Sequence, residues 1–263
     1  MVGGGGGGGS GAAGGGAAGF VKTGVFDVEP NEALKVTVGK GGKGSTRKEG
    51  SCTQDSTAGE RSSFGRLLRA DGGGNHNGTC YESWKGASGG SGGGEGCVTE
   101  TGRCRSGTGG SGGSPGNKSS AGRTYGVGLG QGRFAEQLKQ FQFNFISVGI
   151  AGIGKVHEAP GGGGAAGVLI NNESPLANGG AKPSGADGGK GYGAGGGGGF
   201  LESDDDKAAP IHHEGGNGSD GVVYVEWWWE QSARENLAGN SANCFALCPN
   251  LFWESIVIFQ SAI

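Results

Sequence analysis

Glu202, Asp204, Asp205, Asp206, His212, His213 and Glu214 form the densest set of potential ligands in the chain. Clustered carboxylates supply the oxygen donors that calcium prefers, so a cation would fall to Asp204, Asp205 and Asp206. The same residues suit a solvated loop between two glycine-rich elements. That is the reading we prefer, with no metal or cofactor expected. Lys43, in Gly42-Lys43-Gly44-Ser45-Thr46, invites comparison with a phosphate-binding loop. Such a loop needs Ser or Thr directly after its lysine to reach magnesium, and Gly44 stands there instead. Gly126, Gly128, Gly130 and Gly132 alternate, but Arg133 occupies the place where a dinucleotide turn requires its third glycine. His76 and His157 lie in polar stretches that fix no geometry, so neither a Ser-His-Asp nor a Cys-His arrangement is supported. The chain reads as a non-enzyme.

Cross-linking and modification are the remaining chemistry. The six cysteines are Cys52, Cys80, Cys97 and Cys104 in one region and Cys244 and Cys248 near the end. No C-x-x-C occurs, and no histidine lies at zinc-ligand spacing. Disulfides in an oxidising compartment are the expected state, with free thiols the alternative. The first four cysteines allow three pairings, and spacing does not choose among them. Asn-x-Ser/Thr sequons at Asn77, Asn117, Asn172 and Asn217 fit loops of an extracellular protein. Tyr81, Trp84, Tyr125 and Tyr192 sit beside glycines, where they could line a recognition surface or cover the edges of a glycine framework.

Those residues must be positioned by a chain with little side-chain volume. Sixty-eight of 263 residues are glycine, in blocks between short β-type segments, and hydrophobic residues make up 33%. Glycine loses more backbone entropy on folding than any other residue, so the fold must be held by backbone hydrogen bonds, a few apolar strands, cross-links or a partner. The net charge of −3 offers no basic field for nucleic acid. No run approaches the about 18 apolar residues of a membrane span. Met1-Val2 and the glycines behind it are not a signal peptide.

Between the glycine blocks the pattern changes to strand. Phe20–Val28 is β-type, Glu29-Pro30-Asn31-Glu32 is turn chemistry, and Leu34–Val38 alternates, so a hairpin is expected here. Residues 45–120 carry the cysteines and one apolar knot from Ser63 to Leu68. A short helix is expected near 133–141 from Phe134, Leu138 and Phe141. Ile146-Ser147-Val148-Gly149 echoes Val36-Thr37-Val38-Gly39, a weak internal repeat. Gly167–Ile170 and Gly221–Trp227 read as further strands. Gly107, Gly110, Gly113 and Gly116, and again Gly185, Gly188 and Gly191, recur at the period of polyproline II. The composition then shifts, so we expect a glycine-rich domain over 1–227 and an atypical tail over 228–263. Trp227, Trp228 and Trp229 cannot all face one side of a strand.

Several of these segments carry a resemblance. Gly19-Phe-Val-Lys-Thr-Gly24-Val-Phe-Asp-Val-Glu-Pro30, then Leu34-Lys-Val-Thr-Val-Gly39, resembles the strand–turn–strand signature of the glycine-rich surface domain family. Members occur in bacterial and phage tail-fibre proteins and in large eukaryotic surface proteins. Ser62–Leu68 with Asp71–Gly74 looks like its next element, and Gly189–Gly199 with Asp220–Val225 like its ending. The whole order is similar to the glycine-rich region of the anaplastic lymphoma kinase ectodomain. The resemblance covers about residues 1–227 and implies a mainly β fold of low regular secondary structure: a small β scaffold plus a bundle of polyglycine II helices. It also implies a chain that starts short of the domain's first strand.

The expected function is a non-enzymatic, extracellular or surface-displayed scaffold for adhesion or ligand recognition. Loops 71–85 and 201–219, with Tyr81, Trp84, His212 and His213, would present the surface to a protein or glycan ligand. Alternatives are a self-associating structural matrix protein, an ice-binding rod, whose regular threonine rows are missing, and a receptor ectodomain fragment.

Overall fold

In the computed structural model of the chain, the described residues are 1–11, 13–29, 31–48, 51–75, 86–90, 92–94, 96, 98–99, 104–105, 146–148, 159–170, 175–179, 185–202, 211–227 and 254–258. No helix occurs among them, and the segment 133–141 lies outside them. The fold is mainly β with low regular secondary structure, as the resemblance implied.

Its centre is the first glycine run. The N–H groups of Gly3, Gly6 and Gly9 donate to the carbonyls of Phe20, Ala17 and Gly14. Those of Gly4 and Gly7 donate to Glu60 and Thr57, and those of Gly5 and Gly8 to Ser219 and Gly216. Every third residue faces the same neighbour, and the partner numbers fall by three, so these neighbours run antiparallel. The carbonyls of the run face other neighbours. Gly4 accepts from Gly73, Gly5 and Gly8 from Gly42 and Ser45, and Gly6 and Gly9 from Gly196 and Gly199. In the last two pairs the partner numbers rise by three, so these neighbours run parallel.

Three residues per turn, with all backbone groups pointing outward, is polyproline II geometry made from glycine. A rod of this kind has no internal hydrogen bonds and must be satisfied laterally. Residues 3–9 are therefore enclosed by antiparallel rods at 14–20, 57–60 and 216–219 and by parallel rods at 71–74, 40–45 and 194–199.

Close approach explains the glycine. A Cβ at Gly3 or Gly6 would strike the carbonyl of Asp71 or Gly74. At Gly4 or Gly7 it would strike Lys40 or Lys43, and at Gly5 or Gly8 Ala194 or Gly197. The obstacle is backbone in every case, so no side-chain rearrangement could make room. Rods 13–20 and 194–199 are the other inner members. Gly16 and Gly19 donate to Gly196 and Gly193, and Gly195 and Gly198 to Ala165 and Gly162. Alanine enters only where its methyl has space: Ala17, Ala18, Ala165, Ala166, Ala186 and Ala194 are fully buried.

The apolar cluster is small and lies at one end of the bundle. Val2, Ala18, Val21, Ala165, Val168, Ile170 and Val222 form it, with Tyr192 and Tyr224 packed against it. Val2 joins it to the rods, bridging antiparallel to both Val21 and Val222.

The β scaffold is made of short strands. In chain order they are β1 Val36–Thr37, β2 Thr46–Lys48, β3 Ser51–Gln54, β4 Ser62–Phe64, β5 Leu68–Ala70, β6 Val98–Thr99 and β7 Cys104–Arg105. Then come β8 Ile146–Val148, β9 Ala159–Pro160, β10 Val168–Ile170, β11 Phe200–Glu202, β12 Ile211–His212, β13 Val223–Trp227 and β14 Glu254–Ile258. All pairings are antiparallel: β1-β4-β5, β12-β11-β9, β10-β8, β2-β3, β6-β7 and β13-β14. The strands expected at 146–148, 167–170 and 221–227 are present as β8, β10 and β13, and β13 pairs with a strand of the tail.

One expectation is corrected. The hairpin of 20–28 with 34–38 does not form, because β1 pairs with β4 instead, Val36 opposite Phe64. The turn between them is real: Glu32 N–H donates to Glu29 C=O, and Asn31 takes φ 68°, which Asn tolerates better than other non-glycine residues. Two buried bonds explain the exchange of partner. Ser62 Oγ accepts from Gly39 N–H at 2.9 Å and donates to Val2 C=O at 2.7 Å, tying β4 to the exit of β1 and the start of the central rod. The apolar knot is the turn of the β4–β5 hairpin, with Gly65 at φ 53°.

Candidate recognition surface

With backbone filling the interior, the side chains able to meet a partner lie on the outer rods and the connecting loops. Rod 39–45 shows how such a rod is built. Its inner edge donates from Gly42 and Ser45 to the carbonyls of Gly5 and Gly8. Its other N–H groups are taken by side chains. Lys40 donates to Glu60 Oε2 at 3.3 Å and Lys43 to Thr57 Oγ1 at 2.8 Å. Gly41 donates to Asp220 Oδ1 at 2.7 Å and Gly44 to Asn217 Oδ1 at 2.8 Å. Thr57 and Glu60, like Asn217 and Asp220, are three apart, so each pair reads one edge of the rod in register. Because every N–H from Gly39 to Ser45 is already engaged, this segment has no backbone donors left to cradle a phosphate around Lys43.

Polar and charged residues are exposed along these rods at the same period. Lys40 and Lys43, Thr57 and Glu60, Glu214 and Asn217, and Asp187 and Lys190 are exposed pairs spaced three apart. At a rise of about 3.1 Å per residue, side chains along one rod repeat roughly every 9 Å. The outcome is a set of regularly spaced polar pairs whose spacing comes from the rods that carry them. Gly185 and Gly188 belong to the rod at 185–190, in keeping with their period. Gly107 to Gly116 fall outside the described residues.

The residues singled out from sequence are dispersed. His212 lies on β12 opposite Leu201. His213 is half-buried, and its carbonyl accepts from Gly11 N–H at 2.8 Å. Asn217 is exposed, with its Oδ1 on Gly44, whereas the Ser219 of its sequon is buried. Ser219 Oγ accepts from Ala194 N–H and donates to Gly191 C=O, both at 2.7 Å. Tyr192 packs on the apolar cluster, so it covers the bundle edge. Cys52 lies on β3 and Cys104 on β7. Tyr81, Trp84, Tyr125, Asp204, Asp205, Asp206, Cys80, Cys97, Cys244, Cys248, Asn77, Asn117 and Asn172 lie outside the described residues.

The oxygen-bearing side chains that fasten rod 39–45 were missed from sequence. Their signal was present, in the three-residue spacing of Thr57 with Glu60 and of Asn217 with Asp220. Two further features mark the ends of the bundle. The Met1 amino group donates to Lys22 C=O at 2.9 Å, and burial lowers its pKa from 8.0 to about 6. Ser10 and Ser45 are buried, and their hydroxyls have no hydrogen-bond partner.

A lattice of lateral backbone bonds with a three-residue period, closed by short antiparallel strands, is what a glycine-rich module requires. The model of a family described as a glycine-rich domain matches residues 1–228. The chain belongs to that glycine-rich domain family. No curated protein and no solved structure matches it. Membership accounts for the glycine blocks as a property of the family's architecture. Among the described residues, no helix of this glycine-rich domain protein is long and apolar enough to cross a membrane.

Proposed function

We propose that this glycine-rich domain protein is a non-enzymatic, extracellular or surface-displayed scaffold that recognises a protein or glycan ligand in adhesion. The observation that carries this reading is the division of labour between interior and surface. Among the described residues the three inner rods are satisfied almost wholly by backbone, while the outer rods hold exposed polar side chains at a fixed spacing. Rigid presentation of this kind lowers the ordering cost of binding, because the contact groups start in place. The charges of Lys40, Lys43, Glu60, Asp187 and Lys190 suit a polar ligand better than ice. An even cysteine count and four sequons support an oxidising compartment, with disulfides stapling the segments that carry Cys52 to Cys104.

The test has two readings from one preparation. The full chain is produced through a eukaryotic secretory pathway, and its mass is measured after thiol alkylation and again after glycan removal. The immobilised protein is then probed with a glycan and cell-surface protein array. Protected thiols, an occupied sequon and saturable binding weakened by Lys40→Ala/Lys43→Ala are expected. Fully alkylated cysteines with bare sequons would overturn the extracellular assignment. Spontaneous assembly into insoluble fibres without array binding would replace recognition by a matrix role.

A further inference from the structure

Of the large apolar residues exposed in the described chain, Leu176 stands apart beside Lys190, and the others, Val25, Phe26, Val28 and Leu67, belong to the arm before β1 and the β4–β5 turn. Val25, Phe26 and Val28 are 69%, 37% and 51% exposed, and all lie in the arm between Val21 and β1. From Thr23 to Leu34 the sole backbone hydrogen bond among the described residues is the Glu32–Glu29 turn. A β-type sequence thus stands clear of the bundle with its strand hydrogen bonds unmade, because β4 has taken its expected partner. The arm returns beside the β4–β5 turn. A Cβ at Gly65 would meet Leu34 Cδ2 at 3.0 Å, and Leu67, 36% exposed, extends the apolar strip.

Charge frames this strip in two halves. Asp27, Glu29 and Glu32 make the middle of the arm acidic, between Lys22 and Lys35 at its two ends, and Arg66 and Arg69 make the hairpin basic. The three acidic residues and both arginines are exposed. The sole ion pair among the described residues, Arg61 with Asp71, uses none of them. Opposite charges left unpaired on either side of one apolar strip are self-complementary. A two-fold axis would bring the acidic arm of each copy to the basic hairpin of the other while the apolar strips meet.

We propose that this end of the molecule is a homodimer interface, with the arm of residues 22–35 seated on the β4–β5 hairpin of a second copy. Edge pairing of the arm backbone would add main-chain hydrogen bonds to the contact. The partner is a second copy because both halves of the charge pattern are present on this one face.

Sedimentation velocity of the full chain, from micromolar to near-millimolar concentration, tests this. A concentration-dependent dimer weakened by added salt is expected, and Val25→Asp/Phe26→Asp should leave monomer only. Because these residues stand outside the bundle, that variant should keep the parent melting temperature. A paired-charge experiment covers the case in which it does not. Arg66→Glu/Arg69→Glu and Asp27→Arg/Glu29→Arg should each weaken self-association by about tenfold or more, since like charges then face each other. Mixed together, the two variants should restore the dimer, as a heterodimer. A chain that stays monomeric throughout, a dimer indifferent to both apolar and charge changes, or a mixture that fails to restore association would each overturn the proposal.

Discussion

Rods 3–9 and 39–45 share one conformation and one period, yet different chemistry satisfies them. The central rod gives its N–H groups to backbone carbonyls on three sides. The N–H groups of the outer rod meet backbone at Gly5 and Gly8 and otherwise side-chain oxygens of Ser62, Glu60, Thr57, Asp220 and Asn217. Its carbonyls accept from backbone N–H groups such as those of Glu60, Thr57 and Gly218. The difference teaches where glycine is compulsory. From Gly3 to Gly8 a Cβ would meet backbone at every position, whereas a rod with one side facing water can carry Lys40 and Lys43. Net hydrogen-bond gains of about 0.5–1.5 kcal/mol are of the same order as the roughly 1–2 kcal/mol that fixing a residue's backbone costs. The bundle therefore depends on completeness, and a single missing bond is felt.

The largest effect should come from the central rod. Gly6→Ala drives a methyl into the Gly74 carbonyl. It should cost about 3 kcal/mol or more, lowering the melting temperature by about 10 °C in a circular-dichroism melt. Lys43→Ala on the outer rod should stay within about 0.5 kcal/mol. Equal losses in the two variants would erase the distinction between the rods.

The amino group at the head of the central rod should add a pH dependence. Its folded pKa of about 6 lies below the unfolded 8.0, so the unfolded chain holds more protons between those values. Stability should therefore rise with pH from 6 to 8, by about 2 kcal/mol, with the penalty fully present below pH 6. Acetylating the Met1 amine should flatten this part of the urea-melt profile.

Asp220→Ala should cost about 1–2 kcal/mol by leaving Gly41 N–H without its partner. Hydrogen exchange should speed up at Gly41 and remain slow at Gly42, which donates to backbone. The smallest effect has the opposite sign. Ser45→Ala removes a buried hydroxyl that has no partner, so it should be neutral or stabilising by up to about 1 kcal/mol in the same melts.

Much of the scaffold was legible in the residues. Val168–Ile170 and Val223–Trp227 are β-branched or aromatic runs bounded by glycine or polar loops, and they are strands. Glu29–Glu32 reads as a turn and is one. The partner of β1 was not legible, because pattern favours the nearest β-type segment, Phe20–Val28. The choice of Ser62–Phe64 rests on one hydroxyl that reaches Gly39 and Val2 together. The spacing of Thr57 with Glu60 and of Asn217 with Asp220 was legible, but not that all four act on rod 39–45, which is separate from them in sequence.

The sequence by itself determined that backbone had to do the work of a core, since glycine offers no side chain to pack and alternation marks only short strands. It also carried the three-residue period in the glycine steps and in the polar pairs. Which rod neighbours which, and in which direction, was decided by tertiary structure alone. Successive glycines are identical to any neighbour, so a run such as Gly3–Gly9 encodes no register. Register enters only where the runs end, at Val2, Ser62, Asn217 and Asp220, whose side chains fit one alignment of the rods.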